Sequence, residues 1–105
     1  MIRNEEFLQL RDAYIEIGKM LKEYGYGQYN GMLRILMGQV NCIDSDGSND
    51  EKMKYLIESY SKLFTSRGGL SDFIIYDADI QLRNQLNEKY NDEVKRVWNI
   101  MKEYI

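Results

Sequence analysis

The chain has 105 residues, with 17 aspartates and glutamates against 14 lysines and arginines, one cysteine, and neither histidine nor proline. This is the length of a single domain, 1–105, and the missing histidine excludes Ser-His-Asp and Cys-His catalysis, histidine-ligated zinc and the Glu-x-x-His pairs of di-iron bundles. The net charge of −3 is concentrated between residues 44 and 79, where eight acids face four bases, so the chain lacks the basic face that a nucleic-acid binder turns to phosphates.

The opening segment is the most regular. Phe7, Leu10, Tyr14, Ile17, Leu21 and Tyr24 recur at spacings of three and four, which puts them on one stripe of a helix. Asn4 is its expected N-cap, with Glu5 and Glu6 at the positive end of the helix dipole, and "YGYG" at 24–27 ends it. A second stripe, Tyr29, Met32, Leu33, Leu36, Met37 and Val40, predicts a helix over 28–40. It is weakened by Gly31 and Gly38, each costing about 1 kcal/mol relative to alanine.

"NCIDSDGSND", 41–50, reads as a polar loop. Its acids resemble an EF-hand calcium loop only in composition. Counted from Asp44, the sixth position is Asn49 instead of glycine and the twelfth is Tyr55 instead of glutamate. Ser48 or Asn49 is the expected cap of a third helix over 50–64, with Met53, Leu56, Ile57, Tyr60, Leu63 and Phe64 on its apolar face.

Gly68 and Gly69 then interrupt the pattern. In one reading they end the third helix with a left-handed residue while Leu70 and Phe73 return to the core; in another they shape a recognition loop carrying Arg67 and Asp72. No lysine follows as a Walker-type phosphate loop requires. "FIIY", 73–76, is an extended connector or a strand without a partner. A last helix is predicted from Asp77, its cap, to the C-terminus, with Leu82, Leu86, Tyr90, Val94, Val97, Trp98 and Met101 on its stripe.

Four amphipathic helices with short connections predict an all-α fold, an antiparallel bundle. Tyr14, Tyr24, Tyr60, Tyr90 and Trp98 fall on the stripes and are expected in the core. Tyr26, Tyr55, Tyr76 and Tyr104 are expected at the surface. The lone Cys42 cannot close an intramolecular disulfide and has no histidine to activate it, which suits a reducing, cytoplasmic compartment. The N-terminus lacks the apolar run of a signal peptide, and no run is long enough to span a bilayer. A carboxylate-only magnesium site is the one catalytic arrangement left open. The expectation is a protein that is not an enzyme and has no catalytic residues, cofactor or metal.

"RGGLSDF", followed by an acidic cap and a charged helix containing "QLRNQLNEKY", resembles small helical immunity proteins of bacterial contact-dependent inhibition and other polymorphic toxin systems, over about residues 67 to 90. The resemblance implies a cytoplasmic protein that binds one cognate toxin, such as a nuclease, and blocks it in a stoichiometric complex. The acidic centre of the chain suits a basic toxin, because charge complementarity steers association and sets partner specificity. The expected partner-binding residues are Asp44, Asp46, Asp50 and Glu51 in the first loop, and Arg67, Asp72, Tyr76, Asp77 and Asp79 around the Gly-Gly corner. No membrane or nucleic-acid partner is expected. The alternative is a self-associating adaptor or structural module whose exposed tyrosines make a homodimer contact.

Overall fold

The computed structural model describes residues 2–65 and 69–105, so Arg67 and Gly68 of the expected corner lie outside the described residues. Among the described residues there are four α-helices, α1 (Asn4–Tyr24), α2 (Asn30–Asp44), α3 (Asn49–Leu63) and α4 (Ile80–Met101), and a single 3-10 turn, Leu70–Asp72. The fold is the expected all-α bundle.

The first helix is central. It packs against α2 on one side and α4 on another, while α3 leans chiefly on α2. A helix with two neighbours needs a wide apolar stripe, and Phe7, Leu10, Ala13, Tyr14, Ile17, Met20 and Leu21 supply it. Side-chain pairings fix the directions. Arg11 meets Asp44 and Tyr14 meets Gln39, so α2 runs back along α1. Lys52 ties to Ile43 at the corner, so α3 reverses again. Tyr104, just beyond α4, reaches Glu6, so α4 is also antiparallel to α1.

Local chemistry moves several boundaries. Arg3, not Asn4, is the N-cap of α1, and the Glu6 carboxylate reaches back to its backbone N–H at 3.2 Å. The second helix continues to Asp44 because Ile43 extends the stripe of Leu36 and Val40 by one more turn, so Cys42 and Asp44 are helical. The Ser48 hydroxyl caps α3 by accepting from the Glu51 N–H at 3.2 Å. Asp79, not Asp77, caps α4, accepting from the N–H groups of Gln81 and Leu82 at 3.0 and 3.2 Å. The "YGYG" stretch does end α1. The left-handed backbone falls at Tyr26 and Gly27, φ 51° and 80°, while Gly25 keeps a helical φ and donates to the Leu21 carbonyl.

Of the expected core aromatics, Tyr14 and Tyr90 are fully buried, and Tyr24 and Tyr60 are half-buried against the core. Trp98 is exposed, as are Met37 and Leu82. The apolar contacts of α4 run through Tyr90, Val97 and Met101, and Trp98 sits about 100° around the helix from Val97. Tyr104, expected at the surface, is half-buried with its hydroxyl 3.4 Å from Glu6.

One polar pair enters the core. Gln39 is fully buried and donates from Nε2 to the Tyr14 hydroxyl at 3.3 Å, while its Oε1 has no protein partner. Burial pushes the Tyr14 phenol far above its ordinary range, with the Gln39 hydrogen bond opposing.

Candidate functional site

The described members of the expected partner residues fall into two separate groups along a particle 45 Å long. The first surrounds the α2–α3 corner beside Arg11. The second surrounds the connector into α4, where Asp77 faces Tyr24 at the far end of α1. The thirteen helical steps of α1 from Arg11 to Tyr24 span roughly 20 Å. The two groups do not form one compact patch.

At the α2–α3 corner the polar groups hold the turn. Arg11 Nε donates to Asp44 Oδ1 at 2.7 Å, and this bond together with the guanidinium charge holds the Asp44 carboxyl below its usual range. Lys52 Nζ donates to the Ile43 carbonyl at 2.9 Å, where a cation favours the negative end of α2, and the Cys42 thiol donates to the Lys52 carbonyl at 3.7 Å. Partial burial pushes the Cys42 thiol up despite nearby Lys52, the opposite of an activated nucleophile. Asp46, Asp50 and Glu51 are exposed, the last two in the first turn of α3.

The second corner is built from inside. Gly69 passes so close to the end of α3 that a Cβ there would lie 2.8 Å from the Leu63 carbonyl and 2.9 Å from the Thr65 backbone. Its φ of −82° is ordinary. Close approach, not a left-handed turn, is what excludes a side chain at this glycine. Leu70 is then fully buried, and its carbonyl accepts from the Tyr90 hydroxyl at 2.6 Å. Burial pushes the Tyr90 phenol well up. Phe73 stacks edge-on between Tyr29 and Tyr90, with ring centroids at 4.9 and 5.1 Å.

From Phe73 to Tyr76 burial alternates: Phe73 and Ile75 point in, Ile74 and Tyr76 point out. This period of two marks an extended segment. Asn87 of α4 clamps it, accepting from the Ile75 N–H at 2.8 Å and donating to the Ile75 carbonyl at 2.9 Å. One side-chain amide thus does what a neighbouring strand would do. The outward residues are large and apolar, with Ile74 62%, Tyr76 70% and Ile80 72% exposed. The Arg83 guanidinium covers the Tyr76 ring at 4.3 Å, one turn along α4 from Ile80, so these side chains form one ridge.

Acids border the ridge. Asp77 Oδ1 accepts from the Asp79 N–H at 2.8 Å and Asp79 Oδ1 caps α4, while Asp72 is exposed on the 3-10 turn. Tyr76, Asp77 and Asp79 were legible as candidates; Ile74 and Ile80 were missed. The residue types in "FIIYDADI" gave no alternation to read, because the outward positions are as apolar as the inward ones.

A groove of about 280 Å³ also runs between α1 and α2, lined by Tyr14, Leu33, Leu36 and Val40 together with Lys19 and Lys22. Among the described residues no group of three or more cysteines and acids comes together to hold a metal ion. Among the described residues no helix is long and apolar enough to cross a membrane. No family model, curated protein or solved structure matches this chain.

Proposed function

We propose that this chain is a cytoplasmic immunity protein, one that binds a cognate bacterial toxin and neutralises it in a stoichiometric complex without chemistry of its own. The observation that supports the reading best is the Ile74–Tyr76–Ile80 ridge. The fold does not need those side chains, since Phe73 and Ile75 already anchor the connector, and leaving them in water forgoes about 1.5–3 kcal/mol of burial each. Large apolar side chains rimmed by charge are the usual anatomy of a protein-binding surface. Asp72, Asp77 and Asp79 would meet a basic partner, and the ridge lies within the stretch, about 67 to 90, that resembles toxin-immunity proteins.

The test is capture of the tagged chain from its native cells, followed by co-expression of the partner with and without it. A stoichiometric partner that kills only when the chain is absent supports the reading. A stable dimer with no captured partner replaces it with self-association. Once the toxin is in hand, Ile74→Ser with Tyr76→Ser should weaken binding by about a hundredfold or more. Charge reversal of Asp44, Asp46 and Asp50 should act mainly through salt-dependent association. The reverse ranking would move the site to the α2–α3 corner.

A further inference from the structure

We infer that residues 73–77 are an open strand edge onto which an extended, basic segment of the partner adds as a second strand. The inference rests on the protein-binding reading above and specifies its mode. In an extended chain the N–H and C=O of one residue point to the same side, and those of its neighbours to the other. The Ile75 N–H and C=O both face Asn87. The backbone groups of Ile74 and Tyr76 therefore face away from α4, and they make no hydrogen bond with any part of the chain among the described residues. Their side chains stand exposed beside that edge.

Natural edges are usually blunted by lysine, proline or a covering element. Within 73–77 there is neither lysine nor proline, and the one charge, Asp77, stands at its end. An added strand would gain up to four backbone hydrogen bonds from Ile74 and Tyr76, with side-chain contacts from the ridge, the mode by which many domains bind extended peptides. Charge selects the occupant. Asp77 lies in the segment and Asp79 follows it, against the single Arg83 guanidinium over the Tyr76 ring, so a basic strand is favoured. A second copy paired antiparallel about Ile75 would set each Asp77 opposite the other's Phe73, beside its Asp72, and like charges at that spacing disfavour pairing.

The experiment uses the full chain, labelled with nitrogen-15, and a blocked hexapeptide of alternating lysine and valine as the probe, with an alternating glutamate and valine peptide as control. In the free protein the Ile75 amide should exchange slowly and those of Ile74 and Tyr76 fast. At millimolar lysine peptide the Ile74 and Tyr76 amides should shift and their exchange slow by at least about tenfold; the glutamate peptide should do neither. Tyr76→Pro removes an edge N–H that the fold does not use, so it should abolish the response, while Tyr76→Ala keeps the N–H and should retain a weakened one. Shifts confined to residues 44–51, equal response to both peptides, concentration-dependent dimerisation through 73–77, or no response at this edge would each overturn the inference. Protection in the unsubstituted chain is read without any variant having to fold. A negative result here leaves toxin capture standing, since a partner can seat on the ridge without adding a strand, and a failed capture leaves the peptide result standing.

Discussion

Two of the corners of the bundle, α2–α3 and α3–α4, solve the same problem, reversing the chain between helices, by opposite means. At the α2–α3 corner the ties are polar and lie near water: the Arg11–Asp44 pair, the Ser48 cap and the Lys52 ammonium on the end of α2. At the α3–α4 corner the ties point inward. Leu70, Phe73 and Ile75 are buried, Tyr90 holds the Leu70 carbonyl and Asn87 holds both backbone groups of Ile75. A connector anchored from inside can leave its outer side apolar and unpaired without losing its shape. A corner whose ties are mostly polar and close to water has less such freedom.

The contrast predicts a steep asymmetry in stability. Phe73→Ala removes a ring packed between Tyr29 and Tyr90 and should cost about 3–5 kcal/mol in urea unfolding, the scale of a buried aromatic deletion. A loss under about 1 kcal/mol would mean that the connector is not part of the core. Asn87→Ala comes next. It strands the half-buried N–H and C=O of Ile75 and should cost about 1–3 kcal/mol. Amide exchange at Ile75 should accelerate with it. Asn87→Asp keeps the acceptor but sets a half-buried carboxylate against the Ile75 and Arg83 carbonyls, so at neutral pH it should cost at least as much. If both variants exchange like the parent, the clamp does not hold the edge in place.

How much of this could be read from residue types differs between the same two regions. The three-and-four spacing of α1 placed Phe7, Leu10, Tyr14, Ile17 and Leu21 in the core because a helix with two neighbours buries its whole stripe. The same rule overreached on α4, whose outer flank leaves Trp98 in water. Gln39 and Asn87 were missed as structural residues although both lie among apolar positions of their helices, three residues from Leu36 and from Tyr90. A polar side chain at such a position is a sign of an internal hydrogen bond. The ridge was hidden for a different reason: period two in burial leaves no trace when all four residues of "FIIY" are apolar. Gly69 was read as a helix stop, whereas its small size serves an approach to the end of α3 that only the folded chain reveals.

Helix caps provide a finer comparison. Asp79→Ala deprives α4 of a carboxylate that accepts two N–H groups and should cost about 1–2 kcal/mol, the upper part of the usual capping range. Ser48→Ala removes one weaker acceptor from α3 and should cost less. Equal costs, measured side by side in urea, would show that the α3–α4 corner gains nothing from its charged cap. A larger loss for Ser48 would reverse the asymmetry.

The smallest effect belongs to Asp44. Its carboxyl is held below the usual range mainly by the Arg11 hydrogen bond, so whatever stability the pair contributes is present above the ordinary carboxylate pKa and is lost as pH falls through the lowered one. The parent and Asp44→Asn should therefore differ slightly at neutral pH and converge once the pH has fallen through the lowered Asp44 value, below the ordinary carboxylate range. Both partners are substantially exposed, and a pair in that setting is screened by water and salt. The difference in urea midpoint should accordingly shrink again when salt is raised at neutral pH. A gap that survived both acid and salt would mean that Asp44 acts through something other than its charge, and would add a packed tie beside buried Ile43 at this corner.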